Sequence, residues 1–138
     1  MNLIAAIIAS LLTAATAAQA GDGFIYFKTP SGNIHCAYYD VGDGPEVRCD
    51  LRNFTSSLKR PADCDLDWGY AFAVGAKSGK GAVLCAGDTV ISPEAKILGY
   101  GKTFSEGALT CLSETGGLAC KNKRGHGFSL SRAKQRVF

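Results

Sequence analysis

One stretch near the amino end decides the fold: residues 33–52 read NIHCAYYDVGDGPEVRCDLR. Two runs that suit β-strands, residues 33–39 and 46–52, flank a dense turn signal of Asp, Gly and Pro. This pattern predicts an antiparallel hairpin. Because Cys36 lies on one arm and Cys49 on the other, we predict a disulfide bond between them.

A weak internal repeat extends this interpretation along the chain. The pattern Gly-x-aliphatic-x-Cys ends at Cys36, Cys85 and Cys111. In each copy the aliphatic residue and the cysteine share one face of a strand, because side chains two positions apart do so. Cys111 is followed across a Gly-rich turn by Cys120, which predicts a second cross-linked hairpin. Six cysteines allow fifteen connectivities, and hairpin geometry favours Cys36–Cys49, Cys111–Cys120 and, with the remaining two, Cys64–Cys85.

Further strands are predicted where short apolar runs alternate with turn signals: residues 24–29, 66–76, 82–85, 97–100, 128–130 and a hairpin over 108–120. The run 66–76 places Leu66, Trp68, Tyr70, Phe72 and Val74 at alternate positions, which predicts one buried face. We therefore interpret these aromatic residues as core rather than as a ligand-stacking platform. The fold class predicted is all-β, a small antiparallel sandwich or barrel of hairpins stapled by three disulfides.

The first twenty residues predict export. An apolar run from Leu3 to Leu12 is followed by small residues that end in Ala18-Gln19-Ala20, as in a signal peptide. We predict cleavage after Ala20, which leaves residues 21–138 as a single disulfide-rich β domain. The run is shorter than the roughly 20 apolar residues that span a membrane, and no second one follows. We therefore expect a periplasmic or secreted protein with no transmembrane segment after cleavage.

Charge is concentrated at the carboxyl end. The net charge of +3 is too small to indicate nucleic acid as a partner. From residue 121 onward the chain carries basic side chains and no Asp or Glu. These and one histidine form the predicted binding surface: Lys121, Lys123, Arg124, His126, Arg132, Lys134 and Arg136. Its ligand would be an anionic envelope polymer or an acidic protein. Alternatively these residues are solvated or pair with the chain's own acidic region, since charge runs alone rarely specify a ligand.

No motif predicts a metal site or a cofactor. Asp63, Asp65 and Asp67 have the spacing that opens a calcium loop. That loop needs Gly at its sixth position and Glu at its twelfth, where this chain has Trp68 and Val74. We therefore expect the three carboxylates to line the solvated face of a strand.

Catalysis has only weak candidates. His126 lies near Ser129 and Ser131 in the sequence, and Asp88 is a polar residue farther away, but no complete nucleophile–base pair or Gly-x-Ser-x-Gly elbow is present. His35 alternates with its apolar neighbours, so we expect it to face outward. The leading hypothesis is a non-catalytic binding module for an envelope component or partner protein. The alternatives are a small hydrolase that uses His126, or an enzyme inhibitor that inserts a loop into a cleft.

Seven short motifs together resemble a known family. In order they are FKTPSGNIHC (27–36), RCDL (48–51), DWG (67–69), CAGDTV (85–90), YGKT (100–103), GLACKN (117–122) and GHGFSLSR (125–132). They resemble the bacterial domain-of-unknown-function family 6636 over nearly the whole chain that follows the predicted signal peptide. The resemblance implies a small exported bacterial protein. It places Asp88, His126 and Arg132 within motifs and assigns no activity, ligand or catalytic residue.

Overall fold

The computed structural model describes residues 23–40 and 42–138. The predicted signal peptide, residues 1–20, and its cleavage point before Gly21 lie outside the described residues. The described part is built from the strands β1 (Phe24–Lys28), β2 (Ile34–Asp40), β3 (Pro45–Leu51), β4 (Ala71–Gly75), β5 (Ala82–Val83), β6 (Lys96–Ile97), β7 (Thr103–Glu106), β8 (Leu109–Glu114), β9 (Gly117–Asn122), β10 (Gly127–Leu130) and β11 (Gln135–Val137). Within these ranges no helix is long and apolar enough to cross a bilayer.

The strands form two sheets that pack face to face. One has the order β5-β4-β3-β2-β1-β6 and the other β11-β10-β9-β8-β7. The prediction of an all-β fold with disulfides is confirmed. One pairing departs from the expected antiparallel hairpins, because β6 runs parallel to β1. β5 and β6 lie at opposite edges of the six-stranded sheet, so the chain between them has to cross that sheet.

Each sheet contributes one cross-strand row of the same composition to the core. In the six-stranded sheet the row is Phe27, Cys36, Cys49 and Phe72. In the five-stranded sheet it is Phe104, Cys111, Cys120 and Phe128. The rows face each other, since the ring centroids lie 4.5 Å apart for Phe27–Phe104 and 6.1 Å apart for Phe72–Phe128. The Gly-x-aliphatic-x-Cys repeat therefore corresponds to a repeated core motif in its first and third copies.

The three predicted disulfides are confirmed. Cys36–Cys49 and Cys111–Cys120 join directly opposed residues of β2–β3 and β8–β9, with Cα atoms 4.1 and 4.0 Å apart. Both bonds are fully buried. Cys64–Cys85 instead ties the long β3–β4 connection to the residues that follow β5, and Cys85 is exposed.

The predicted strand over residues 66–76 is wrong in its first half. Regular pairing begins only at Ala71, and Phe72 and Val74 are buried as expected. Gly69 adopts φ +90°, a left-handed conformation that interrupts the pleat. The period of two therefore does not extend back to Leu66, whose side chain is 53% exposed, nor to Trp68, which is half-buried.

The chain that joins β5 to β6, residues 84–95, covers the face of the six-stranded sheet that lies away from the cysteines. We call it the crossing segment. It approaches the outward side chains of β3, where Thr89 Oγ1 and the Val90 N–H donate to Asp50. His35 faces outward as expected, yet its side chain is buried. His35 does lie on the face opposite Cys36, but it pairs with Asp50 across β2–β3 and is only 5% exposed.

Candidate functional site

A groove of about 830 Å³ opens between the β3–β4 connection and the start of the crossing segment. We call it the Trp68 groove. Its aromatic lining is half-buried and comprises Phe54, Trp68 and Tyr70. Its charged lining comprises Arg52, Arg60, Asp67 and Asp88, all of them exposed. Apolar ring faces beside a few charged groups are typical of sites that bind small or elongated ligands.

A glycine sets the direction of the aromatic side chains. Gly69 lies between Trp68 and Tyr70 in the left-handed conformation. A Cβ atom at this position would lie 2.8 Å from Ser56 Oγ and 3.6 Å from the Phe54 ring, closer to the hydroxyl than real Cβ atoms come. Only glycine therefore fits both the backbone and the space, and this turn directs Trp68 and Tyr70 into the groove rather than into the sheet.

Tyr70 is hydrogen-bonded to the opposite wall of the groove, which the crossing segment forms. Its hydroxyl donates to the carbonyl oxygens of Ala86, at 3.2 Å, and of Asp88. Burial raises the pKa of the Tyr70 hydroxyl above its ordinary value, so this group stays protonated and remains a donor. The aromatic wall and the crossing segment are therefore held at a defined separation.

A buried polar network supports the charged wall. Arg48 Nε donates to Asp50 Oδ1 at 2.9 Å, and Arg48 Nη1 donates to Asp88 Oδ1 at 3.0 Å. Asp50 is fully buried and accepts further bonds from Thr89 Oγ1 at 3.0 Å and the Val90 N–H at 2.9 Å. Burial disfavours the charged guanidinium, yet the hydrogen bonds and charges of its carboxylate partners raise the pKa of Arg48 above its ordinary range. This network fixes the crossing segment to β3.

Asp88 presents a fixed negative charge at the groove. The hydrogen bond from Arg48, and then its positive charge, lower the pKa of the Asp88 carboxyl. The side chain is nevertheless 78% exposed. Since only Oδ1 is bonded to Arg48, Oδ2 is accessible to a ligand.

The indole N–H of Trp68 lacks an acceptor within the part of the chain that the structure describes. Among the described residues this atom is buried and makes no hydrogen bond, which is unfavourable for a strong donor. Because the ring also lines the groove, Trp68 combines an unsatisfied polar atom with an accessible apolar surface.

The predicted basic surface is divided among three places. Lys121 and Arg136 lie on the outer face of the five-stranded sheet, since their strand neighbours Cys120 and Val137 point inward. Lys123, Arg124 and His126 lie in the β9–β10 turn, and Arg132 and Lys134 in the β10–β11 turn, at the other end of β10. Within the part of the chain that the structure describes, none of these residues forms an ion pair with Asp or Glu.

The weak catalytic candidates are not brought together. His126 is held through its backbone, whose N–H donates to Asn122 Oδ1 at 3.2 Å. Its imidazole makes no hydrogen bond to Ser129, Ser131 or Asp88 in the described ranges. Ser131 Oγ instead donates to the carbonyl of Lys134 at 3.0 Å, and the Asp88 carboxylate is engaged with Arg48.

The acidic triplet is exposed, but it does not lie along a strand as expected. Asp63 belongs to a turn, and Asp67 forms only an isolated bridge with Ala86. Across residues 23–40 and 42–138, no group of three or more His, Cys, Asp or Glu side chains is arranged to hold a metal ion.

Sequence reasoning missed the network of Arg48, Asp50 and Asp88. The signal available was the outward position of two opposite charges on either side of Cys49. Three of the seven motifs meet here, because residues 48–51, 67–69 and 85–90 all contribute to the groove or to the network beneath it. No single motif indicates this convergence, since it depends on how the crossing segment folds back.

Comparisons with known proteins agree with the motif resemblance. No curated protein and no solved structure matches the chain. The model of the family of unknown function DUF6636 matches residues 6–138, which include all seven motifs. Because this match covers nearly the entire sequence, the chain belongs to the family of unknown function DUF6636.

Proposed function

We propose that the protein is a periplasmic or secreted non-catalytic binding module for an envelope component, and that the Trp68 groove is its contact surface. The observation that carries the proposal is the combination of half-buried rings and exposed charged side chains in one groove. The groove volume of about 830 Å³ falls within the range of ligand sites.

Rigidity supports this role. Cys64–Cys85 ties the aromatic wall to the crossing segment, and Asp50 ties the crossing segment to β3. A groove whose walls are fixed before binding loses little conformational entropy when a ligand enters. Three disulfides are also compatible with an oxidising environment, which is where an envelope ligand would be met.

The basic residues of the five-stranded sheet are a second candidate surface for the same function. Their ligand would be an anionic envelope polymer or an acidic protein. The absence of ion pairs to these residues in the described chain leaves their charges available. Lys121 and Lys123 also line a groove, of about 610 Å³, but its lining has no aromatic side chain. We favour the Trp68 groove because it combines aromatic ring faces with charges of both signs.

A sedimentation assay with an isolated envelope fraction tests the proposal. We expect the wild type to be retained in the pellet, and Trp68→Ala and Arg52→Ala to lower the retained fraction at least about tenfold, as for truncation of a central anchor. Arg52 is exposed and its side chain makes no hydrogen bond among the described residues, so this variant preserves the fold.

Two control variants separate the surfaces. Tyr100→Ala removes an aromatic ring that is 46% exposed but lies outside the groove, and it should bind like the wild type. Reversing the charges of Lys123, Arg124 and Arg132 to Glu should also leave retention unchanged. The proposed contact surface is refuted if charge reversal abolishes retention while the groove variants bind normally. A wild type that is not retained would refute the binding module itself.

A further inference from the structure

We infer that the ligand of the Trp68 groove is an uncharged polysaccharide, bound by stacking on Trp68 and by hydrogen bonds to the charged side chains around it. This inference rests on the proposed function and names its ligand class. The groove is lined by two arginines and two aspartates, Arg52, Arg60, Asp67 and Asp88, so a strongly charged polymer would meet as many repulsive as attractive groups.

The backbone of the groove wall is already hydrogen-bonded within the protein. The N–H groups of Arg52 and Asn53 donate to the carbonyl and the side-chain oxygen of Asn33, both at 2.8 Å. The Asp67 N–H donates to the Ala86 carbonyl at 3.1 Å, and the reverse bond closes the pair. An extended peptide that binds by strand addition needs such groups to be open. The ligand is therefore recognised by side chains.

The side chains of the groove suit the surface of a sugar ring. A sugar ring offers one face of C–H groups and a rim of hydroxyls. The half-buried faces of Trp68 and Tyr70 provide the apolar surface that such a face requires. Asp88 Oδ2 and the Arg52 guanidinium provide an ionised acceptor and a forked donor for the hydroxyls. No charge on the ligand is needed for either contact.

Intrinsic fluorescence tests the inference directly, because Trp68 is the only tryptophan in the chain. The disulfide-bonded protein is titrated with two neutral hexasaccharides, one of β-linked glucose and one of β-linked N-acetylglucosamine. Polyglutamate and an uncharged peptide serve as competing ligand classes. We expect at least one hexasaccharide to change the Trp68 emission in a saturable way. The affinity should be the same at low and high salt, since no ligand charge is screened.

Variants make the test specific. Arg52→Ala should weaken hexasaccharide binding at least about tenfold, whereas the control variant Lys96→Ala, which removes an exposed cationic side chain on β6 outside the groove, should not. If neither hexasaccharide binds, or binding is equal in Arg52→Ala, the polysaccharide assignment is overturned. If polyglutamate or the peptide then binds with the Arg52 dependence, the groove remains the contact surface and only the ligand class was wrong.

Discussion

Cys49 Sγ lies 3.9 Å from Cys120 Sγ, so the two cross-strand disulfides touch at the centre of the sandwich. Each belongs to a hairpin of a different sheet, and both are fully buried. The disulfides therefore do more than cross-link each hairpin, because they also form the contact between the sheets. Their sulfur atoms fill the volume that aliphatic side chains fill in a core without cysteines.

This contact predicts which of two disulfides contributes more to the free energy of unfolding. Loop-closure entropy alone ranks Cys64–Cys85, with a sequence separation of 21, above Cys111–Cys120, with a separation of 9. Either loss should cost about 2–5 kcal/mol. We expect Cys111→Ala/Cys120→Ala to cost more than Cys64→Ala/Cys85→Ala, because it also leaves a cavity between the sheets. Urea unfolding of both double variants measures the order, and the reverse order would show that the sulfur contact contributes little.

Exposure predicts which disulfide is reduced first. Cys85 is exposed, whereas Cys36, Cys49, Cys111 and Cys120 have no exposed area. Thiol–disulfide exchange requires access to a sulfur atom. Mild reduction followed by alkylation and peptide mass spectrometry should therefore label Cys64 and Cys85 before the others. Simultaneous labelling of all six cysteines would indicate that reduction proceeds through global unfolding instead.

The sequence predictions were correct for contacts between residues that are close in sequence. Cys36–Cys49 and Cys111–Cys120 could be predicted because each pair spans one turn, so local hairpin geometry brings the residues together. The start of β4 could not be predicted. Apolar residues alternate on both sides of Gly69, but the strand conformation of the backbone is interrupted at this residue. β7 and β11 were missed, since each is short and Phe104 and Val137 alone carry their apolar signal.

The groove could not be predicted at all, for a different reason. Its walls come from the β3–β4 connection and the crossing segment, and the crossing segment is held to β3 by the bond from Arg48 to Asp88, forty residues away in sequence. A period of two or a turn signal carries no information on such a contact. The burial of Asp50 has the same origin, since Thr89 and Val90 of the crossing segment donate to its carboxylate.

Asp50 is predicted to be the residue of the polar network whose substitution lowers the free energy of unfolding most. Asp50→Asn removes the buried negative charge and leaves the Arg48 guanidinium, 8% exposed, without its main partner. We expect a loss of about 3–5 kcal/mol in the free energy of unfolding, as when one member of a buried ion pair is removed. Asp88→Asn is the matched control, because its side chain is largely exposed and its loss should stay below about 1 kcal/mol. Equal losses measured by urea unfolding would contradict this assignment.

His35 predicts a dependence of stability on pH. Burial lowers its pKa below the ordinary value of 6.5, and the positive charges of Arg52 and Lys28 lower it further. The unfolded chain therefore binds a proton at a higher pH than the folded chain. Stability is fully present above pH 6.5 and falls as the pH drops through the interval down to the folded pKa.

His35→Gln checks this dependence, because glutamine does not titrate. The free energy of unfolding is measured between about pH 7 and pH 5, above the range in which most carboxylates titrate. The wild type should lose stability on acidification across this interval, and the variant should lose less. Parallel curves for the two proteins would assign the pH dependence to other groups.

In the β7–β8 turn, substitutions at two adjacent residues are expected to change the stability of the protein in opposite directions. Gly107 and Ala108 form a two-residue loop with φ values of 52° and 68°, and Ala108 is the one described non-glycine residue with a positive φ. A side chain in this conformation costs about 1–2 kcal/mol, so Ala108→Gly should stabilise the protein by about 0.5–1 kcal/mol after the entropy of the added glycine is subtracted. Gly107→Ala should destabilise it, because its Cβ would lie against the Tyr38 hydroxyl and 2.8 Å from Pro45 Cγ. Thermal unfolding of both variants measures the signs, and a destabilised Ala108→Gly would mean that the native turn carries no strain at this position.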